Sequence, residues 1–455
     1  MRIQIFVLLC VAAFTWTCGA PMPKPNAGNN PDSNAEAVSW GIVIPTMQLV
    51  QETANGERCP SGWSLLADSL SENGLQNLPP IQPKYVYRFR TLAQLDAAVR
   101  EAYEALPELA RVFPTVRIPL VWPCFMESDA WRREFSDLFR NLVNAGIHVE
   151  LTLSHHDSFP AALWEDRNGP GVLASGWAHQ GAPDAFTRYA EAVYDELGHV
   201  LPEDTTVYLV NEPVSALLHG YAGYGSWPPG GKRAGRSLGQ ALRHMRDGLI
   251  AAARTLQHTG WRVGVIHAVR PMTDNGPGSG SAETDYVVNW WLPDALHHGC
   301  VDDDFDGSCE AVRDPALIDV FGVSFYGTMR AGADELTLHE RTTIRIPESD
   351  VRPDVRAFAR ALSDVKRRYS NQQVTVGEIG FSSADSAKQG QWLAEYQHAM
   401  REHSIREATL HTLFEAAEWS GGEWRFHLAE GCSGSPCRIT PWGRQAAAVV
   451  RMGKE

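Results

Sequence analysis

Two glutamates stand where strand-like runs give out. In VYLVNEPVSA, residues 207–216, four strand-forming residues lead straight into Asn211, Glu212 and Pro213. In VTVGEIGFSS, residues 374–383, a second apolar run delivers Glu378 in the same way. A carboxylate at such a position packs badly. One use would be to cap the helix that follows, since carboxylates suit the positive end of a helix. Two carboxylates facing one another across a cleft have another use. One can protonate a leaving oxygen while the other attacks the anomeric carbon of a sugar, which is the division of labour in glycoside hydrolysis. A separation of about 5–5.5 Å excludes water behind the sugar and leads to retention through a glycosyl-enzyme.

For that chemistry the two strands must end on one face of one scaffold. Strand candidates lie at 40–46, 115–121, 147–153, 206–211, 262–267, 319–325, 373–378 and 408–414, with helical patterns between them at 131–144, 184–197, 237–257, 354–369 and 386–402. Within 184–197, Phe186, Tyr189, Ala190, Val193 and Leu197 recur at the three- and four-residue spacing of an amphipathic helix. Eight strands alternating with helices suit an α/β fold, either a (β/α)8 (TIM) barrel or a doubly wound open sheet. The polar residues decide between them. Arg117, His155, Asn211, Glu212, Tyr326, Glu378 and Glu418 lie within or just beyond strand candidates. A closed barrel gathers those strand ends on one face, where barrel active sites are built. An open sheet would spread them along a line. The expectation is a single (β/α)8 barrel catalytic domain over residues 38–455.

The surrounding text resembles glycoside hydrolase family 1, the β-glucosidase-like retaining glycosidases. Asn211-Glu212-Pro213 resembles the acid/base motif. LTLSHHDSFPAAL (151–163) is similar to the third strand and places His155 on a sugar-contacting histidine. VRIPLVWP (116–123) resembles the second, with Arg117 on the arginine that holds the nucleophile. GIVIPTMQLVQE (41–52) puts Gln48 on a sugar-binding glutamine, and FGVSFYG (321–327) puts Tyr326 on the tyrosine that hydrogen-bonds the nucleophile. HTLFEAAEWSGGEWRF (411–426) resembles the eighth strand and its loop, with Glu418 and Trp419 as sugar-binding residues. The chain departs from the family in several places. Gly377-Glu378-Ile379-Gly380 stands where Glu-Asn-Gly is usual, Ser324 replaces an asparagine, and His156 and His411 replace tryptophans.

The resemblance implies Glu212 as acid/base, Glu378 as nucleophile, Arg117 and Tyr326 as its supports, and Asn211 on the sugar 2-hydroxyl. Glu212 then needs to hold its proton at neutral pH, a state favoured by an apolar strand and a nearby carboxylate. Trp122 offers a further apolar face for a sugar ring. The expected partner is a β-glycoside. An endo-β-glycanase or β-mannosidase of the same clan, a transglycosylase, and a glycan-binding protein on an inactive barrel are the competing readings.

Composition agrees. The formal net charge of −14, with no long Lys/Arg run, argues against a nucleic-acid partner. Fifteen tryptophans favour a carbohydrate ligand. Neither Cys-x-x-Cys nor His-x-x-x-His spacing occurs, so neither metal nor cofactor is expected. Residues 1–20 read as an export signal and 21–37 as a Pro/Asn/Ser-rich tether. Cleavage after Ala20 would release the protein. Cleavage before Cys18 would leave a cysteine for lipid anchoring to a membrane. Six cysteines remain after the signal. Cys300/Cys309 and Cys432/Cys437 would close short loops, leaving Cys59 with Cys124; free buried thiols are the alternative.

Overall fold

The computed structural model describes residues 37–45, 52–57, 89–155, 159–164, 174–223, 227–273, 280–313, 318–415, 426–432 and 436–453. Eight parallel strands carry it. They are β1 Ser39–Val43, β2 Thr115–Pro119, β3 His148–His155, β4 Thr206–Asn211, β5 Arg262–Ala268, β6 Val320–Phe325, β7 Gln373–Ile379 and β8 Glu407–His411. Each pairs with its neighbours in sequence order, and β1 pairs with β8. The sheet is a closed (β/α)8 barrel, and the open-sheet alternative is excluded. All eight strand candidates are strands in the structure.

Helices follow from the same periodicity. Ala182–Leu197 buries Phe186, Tyr189, Ala190, Val193 and Leu197, the stripe read from the sequence. Side chains cap several helix starts. Ser128 accepts from Trp131 N, Asp354 from Ala357 N, and Asp385 from Ala387 N and Lys388 N. Each satisfies a donor that the first turn leaves open.

Inside the barrel Tyr208, Ile266 and Val320 pack together. Ile266 needs space that only glycine gives. A Cβ on Gly377 would stand 2.7 Å from its Cγ1. Gly377 is thus set by packing one residue before Glu378.

Not anticipated is an antiparallel hairpin, Thr328–Thr337 with Thr343–Asp350, inserted after β6. Trp122 also corrects an expectation. It is 1% exposed, stacked on Tyr189 at 5.8 Å and set edge-on to Phe186 at 5.1 Å, so it belongs to the core and offers no face to a sugar. Cys300–Cys309 and Cys432–Cys437 are disulfides as expected. Cys124 is disulfide-bonded, and Cys59 lies outside the described residues.

His297 gives a stability test. It is buried against Phe321 and Tyr369, with ring centroids 5.2 and 4.9 Å away. Burial, helped by the neighbouring His298 and His267, lowers its pKa to about 3. The folded chain keeps it neutral while the unfolded chain protonates it near pH 6.5, so its contribution falls as pH drops below that value. Denaturant melts at pH 6.5 and 4.5 should therefore show His297→Gln losing about 2 kcal/mol less than wild type across that interval.

Candidate active site

β4 ends by breaking strand geometry. Its register with β5 shifts between Tyr208 and Asn211, and Glu212 follows in the left-handed region at φ 47°, ψ 54°. A side chain there costs on the order of 1–3 kcal/mol of backbone strain unless its surroundings hold it. Those surroundings are on both sides. Glu212 N donates to Ile266 O at 2.8 Å, and Pro213 opens the short helix Pro213–Leu217, where its missing N–H costs nothing. The Glu212 carboxylate makes no capping bond to that helix. The capping alternative therefore fails, and the side chain is committed to the barrel. It is 5% exposed, accepts the Ser324 hydroxyl on Oε1, and has Arg270 Nη2 3.8 Å from Oε2.

Glu378 arrives by a similar device. The β6–β7 register shifts between Thr375 and Glu378, an irregularity that re-aims side chains. The next helix, Ser386–Glu402, is capped by Asp385, so Glu378 has no capping role either. Its Oε2 accepts from Arg117 Nη2 and its Oε1 from Tyr326 OH at 3.0 Å. Arg117 is fully buried, lies over the Tyr208 ring at 5.9 Å, and donates from Nη1 to Asn211 Oδ1 at 3.3 Å. Asn211 is fully buried too, and its Nδ2 has no partner among the described residues. Ser324 joins the two carboxylates. It is the ladder partner of Glu378, and its hydroxyl reaches Glu212.

The structure thus brings together Arg117, Asn211, Glu212, Tyr326 and Glu378. His155, buried at the end of β3, is the ladder partner of Asn211. Gln48, Glu418 and Trp419 lie outside the described residues. Two members were missed by sequence reasoning. Ser324 was noted as a replacement but not as a partner of Glu212. Arg270, two residues beyond β5, was not singled out, although its place after a strand end was the available signal. For metals, the carboxylates of Asp302, Asp304 and Asp306 lie within 4.8 Å of one another. Asp302 is already engaged, accepting Tyr286 OH at 2.7 Å and Gly307 N at 3.0 Å, and Asp306 accepts Ser308 N at 2.7 Å.

Residues 134–285 match the model of glycosyl hydrolase family 1, a stretch that holds His155, Asn211, Glu212 and Arg270. Similar solved structures include a β-glycosidase from Pyrococcus horikoshii, at 16% identity and TM-score 0.66 over 92% of this chain and 94% of that one. A β-glucosidase from Thermotoga maritima in complex with deoxynojirimycin matches at 16% identity and TM-score 0.70 over 92% and 98%. β-Glucosidase 2 from the fungus Trichoderma reesei, in complex with Tris, matches at 15% identity and TM-score 0.70 over 92% and 98%. These likenesses establish the fold. No curated protein matches the sequence. Barrel and family match together define a glycoside hydrolase of the (β/α)8 class.

The ion pair under the site is testable without substrate. Arg117→Met would leave the Glu378 carboxylate buried without its counter-charge, a loss expected to cost about 3–5 kcal/mol. Adding Glu378→Gln removes that unpaired charge. Chemical denaturation should show the double variant recovering most of the loss.

Proposed function

We propose that this protein is a retaining β-glycosidase in which Glu378 is the nucleophile and Glu212 the acid/base. The unequal surroundings of the two buried glutamates carry the reading. Glu378 accepts from a fully buried guanidinium and a phenol, two donors that orient a carboxylate for attack. Glu212 meets a neutral hydroxyl, with its cation farther off at 3.8 Å. It is buried beside that neutral hydroxyl, as suits the group proposed to deliver a proton.

In the first step the Glu212 proton goes to the glycosidic oxygen as the bond from that oxygen to the anomeric carbon breaks. A Glu378 oxygen bonds to the carbon, giving a glycosyl ester. In the second step Glu212 takes a proton from water, whose oxygen replaces Glu378. Asn211 Nδ2 is available to the sugar 2-hydroxyl, a contact that strengthens at the transition state. His155, Gln48, Glu418 and Trp419 complete the sugar site in this proposal. The β-linkage is supported by the names of the similar structures, which are β-glycosidases and β-glucosidases.

Export belongs to the same proposal. The N-terminal apolar run sends the chain out of the cytoplasm, with Cys18 as the point of lipid attachment if cleavage falls before it. The mass of the mature N-terminus separates anchored from released protein.

Glu212→Ala tests the reaction. Turnover of glycosides with poor leaving groups should fall by roughly 10²–10⁴-fold, while formation of the glycosyl-enzyme from dinitrophenyl glycosides should be nearly unchanged. Equal losses for both would remove Glu212 from acid catalysis.

A further inference from the structure

Arg270 reaches the site from outside the elements that carry the two glutamates. Its backbone is clamped, with its N–H donating to Asn289 Oδ1 at 2.9 Å and its carbonyl accepting Asn289 Nδ2 at 3.0 Å. Its Nη1 donates to Ser349 Oγ at 2.8 Å, on the second strand of the inserted hairpin. Nη2 is thereby directed to Glu212 Oε2 at 3.8 Å. The guanidinium is thus braced between the barrel and the hairpin, beside one oxygen of one carboxylate.

Among the described residues, the groups named next differ from Arg270 in charge. Ser324 on β6 gives a neutral hydroxyl. His267 on β5 is electrostatically coupled to Glu212, but burial pushes its pKa down to about 4, so it is uncharged at neutral pH. Glu378 on β7 is itself a carboxylate and brings no positive charge. Arg117 on β2 and Tyr326 beyond β6 donate to Glu378. His155 on β3 and Asn211 on β4 are ladder partners next to the strand end that carries Glu212.

The proposed reaction asks two things of Glu212. It must hold a proton while Glu378 is charged, and lose it once Glu378 is esterified and that charge is gone. We propose that Arg270 is a positioning residue for Glu212, stabilising the ionised form that takes a proton from water in the second step. The inference rests on the acid/base role proposed above. In the free enzyme the Glu378 charge opposes Arg270. In the glycosyl-enzyme that opposing charge on Glu378 is gone.

The test compares pH profiles of wild type, Arg270→Gln and Arg270→Lys in the full-length protein. An opposite charge at this range moves a carboxylate by about one pH unit or more. In Arg270→Gln the alkaline limb of kcat/KM should rise by about one unit. With a dinitrophenyl glycoside, the acidic limb of glycosyl-enzyme breakdown should rise as well. Arg270→Lys should return both limbs toward wild type. A uniform loss at every pH with unmoved limbs would reduce Arg270 to a packing role and overturn the proposal.

Should Arg270→Gln fail to fold, Ser349→Asp on the exposed hairpin strand serves instead. Its carboxylate would draw charge from Arg270 and move the same limbs upward, and unmoved limbs again overturn the idea. The two readings fail separately. If Glu212→Ala shows no dependence on leaving group, the reaction assignment falls. If that dependence holds while the limbs stay put, the Arg270 assignment falls alone.

Discussion

A guanidinium with no exposure to water, Arg117, meets the carboxylate of Glu378 inside the barrel. Much of the site's geometry depends on this contact. Burying either charge alone would cost several kcal/mol, so each fixes the other. The same guanidinium donates to Asn211 and lies over Tyr208, which ties the pair to β4. Tyr326 adds a donor to the second Glu378 oxygen. With both oxygens engaged, Glu378 has little freedom to rotate, as suits a group proposed to attack one carbon from one direction.

Glu212 is held differently. Its backbone sits in the left-handed region, fixed by Ile266 O before it and by the helix-starting Pro213 after it. Its side chain has a hydroxyl on one oxygen and a cation at longer range on the other. That arrangement suits a group proposed to pass through both protonation states in each turnover. The hairpin after β6 takes part as well, because Ser349 steadies the arginine that faces Glu212.

The barrel was legible because each strand is an apolar run bounded by turns, and all eight candidates are strands. The two glutamates were legible for a related reason, since a carboxylate ending such a run has no packing role. Arg117, Asn211 and Tyr326 were found through the family resemblance, and the structure joins each of them to the carboxylate network. Other features leave no periodic trace. The register shifts in β4 and β7 that re-aim Asn211 and Glu378 depend on pairing with neighbouring strands, which one strand's pattern does not encode. The hairpin carries Glu335, Glu340, Arg341, Arg345 and Glu348 and lacks the apolar run that marks a barrel strand. Arg270 stands just past a strand end, but nothing local tells which carboxylate it will meet. Trp122 failed for the opposite reason. A tryptophan after a strand looks the same whether it faces a ligand or, as here, Tyr189 and Phe186.

The central claim is that Glu378 forms a covalent bond to the sugar. The direct measurement is to incubate the enzyme with dinitrophenyl 2-deoxy-2-fluoro-β-glycosides, digest it, and locate the added sugar mass by peptide sequencing in a mass spectrometer. The account predicts one sugar per chain, attached to Glu378. A label on another residue, or turnover of the parent glycoside with release of the inverted anomer and no label, would contradict it.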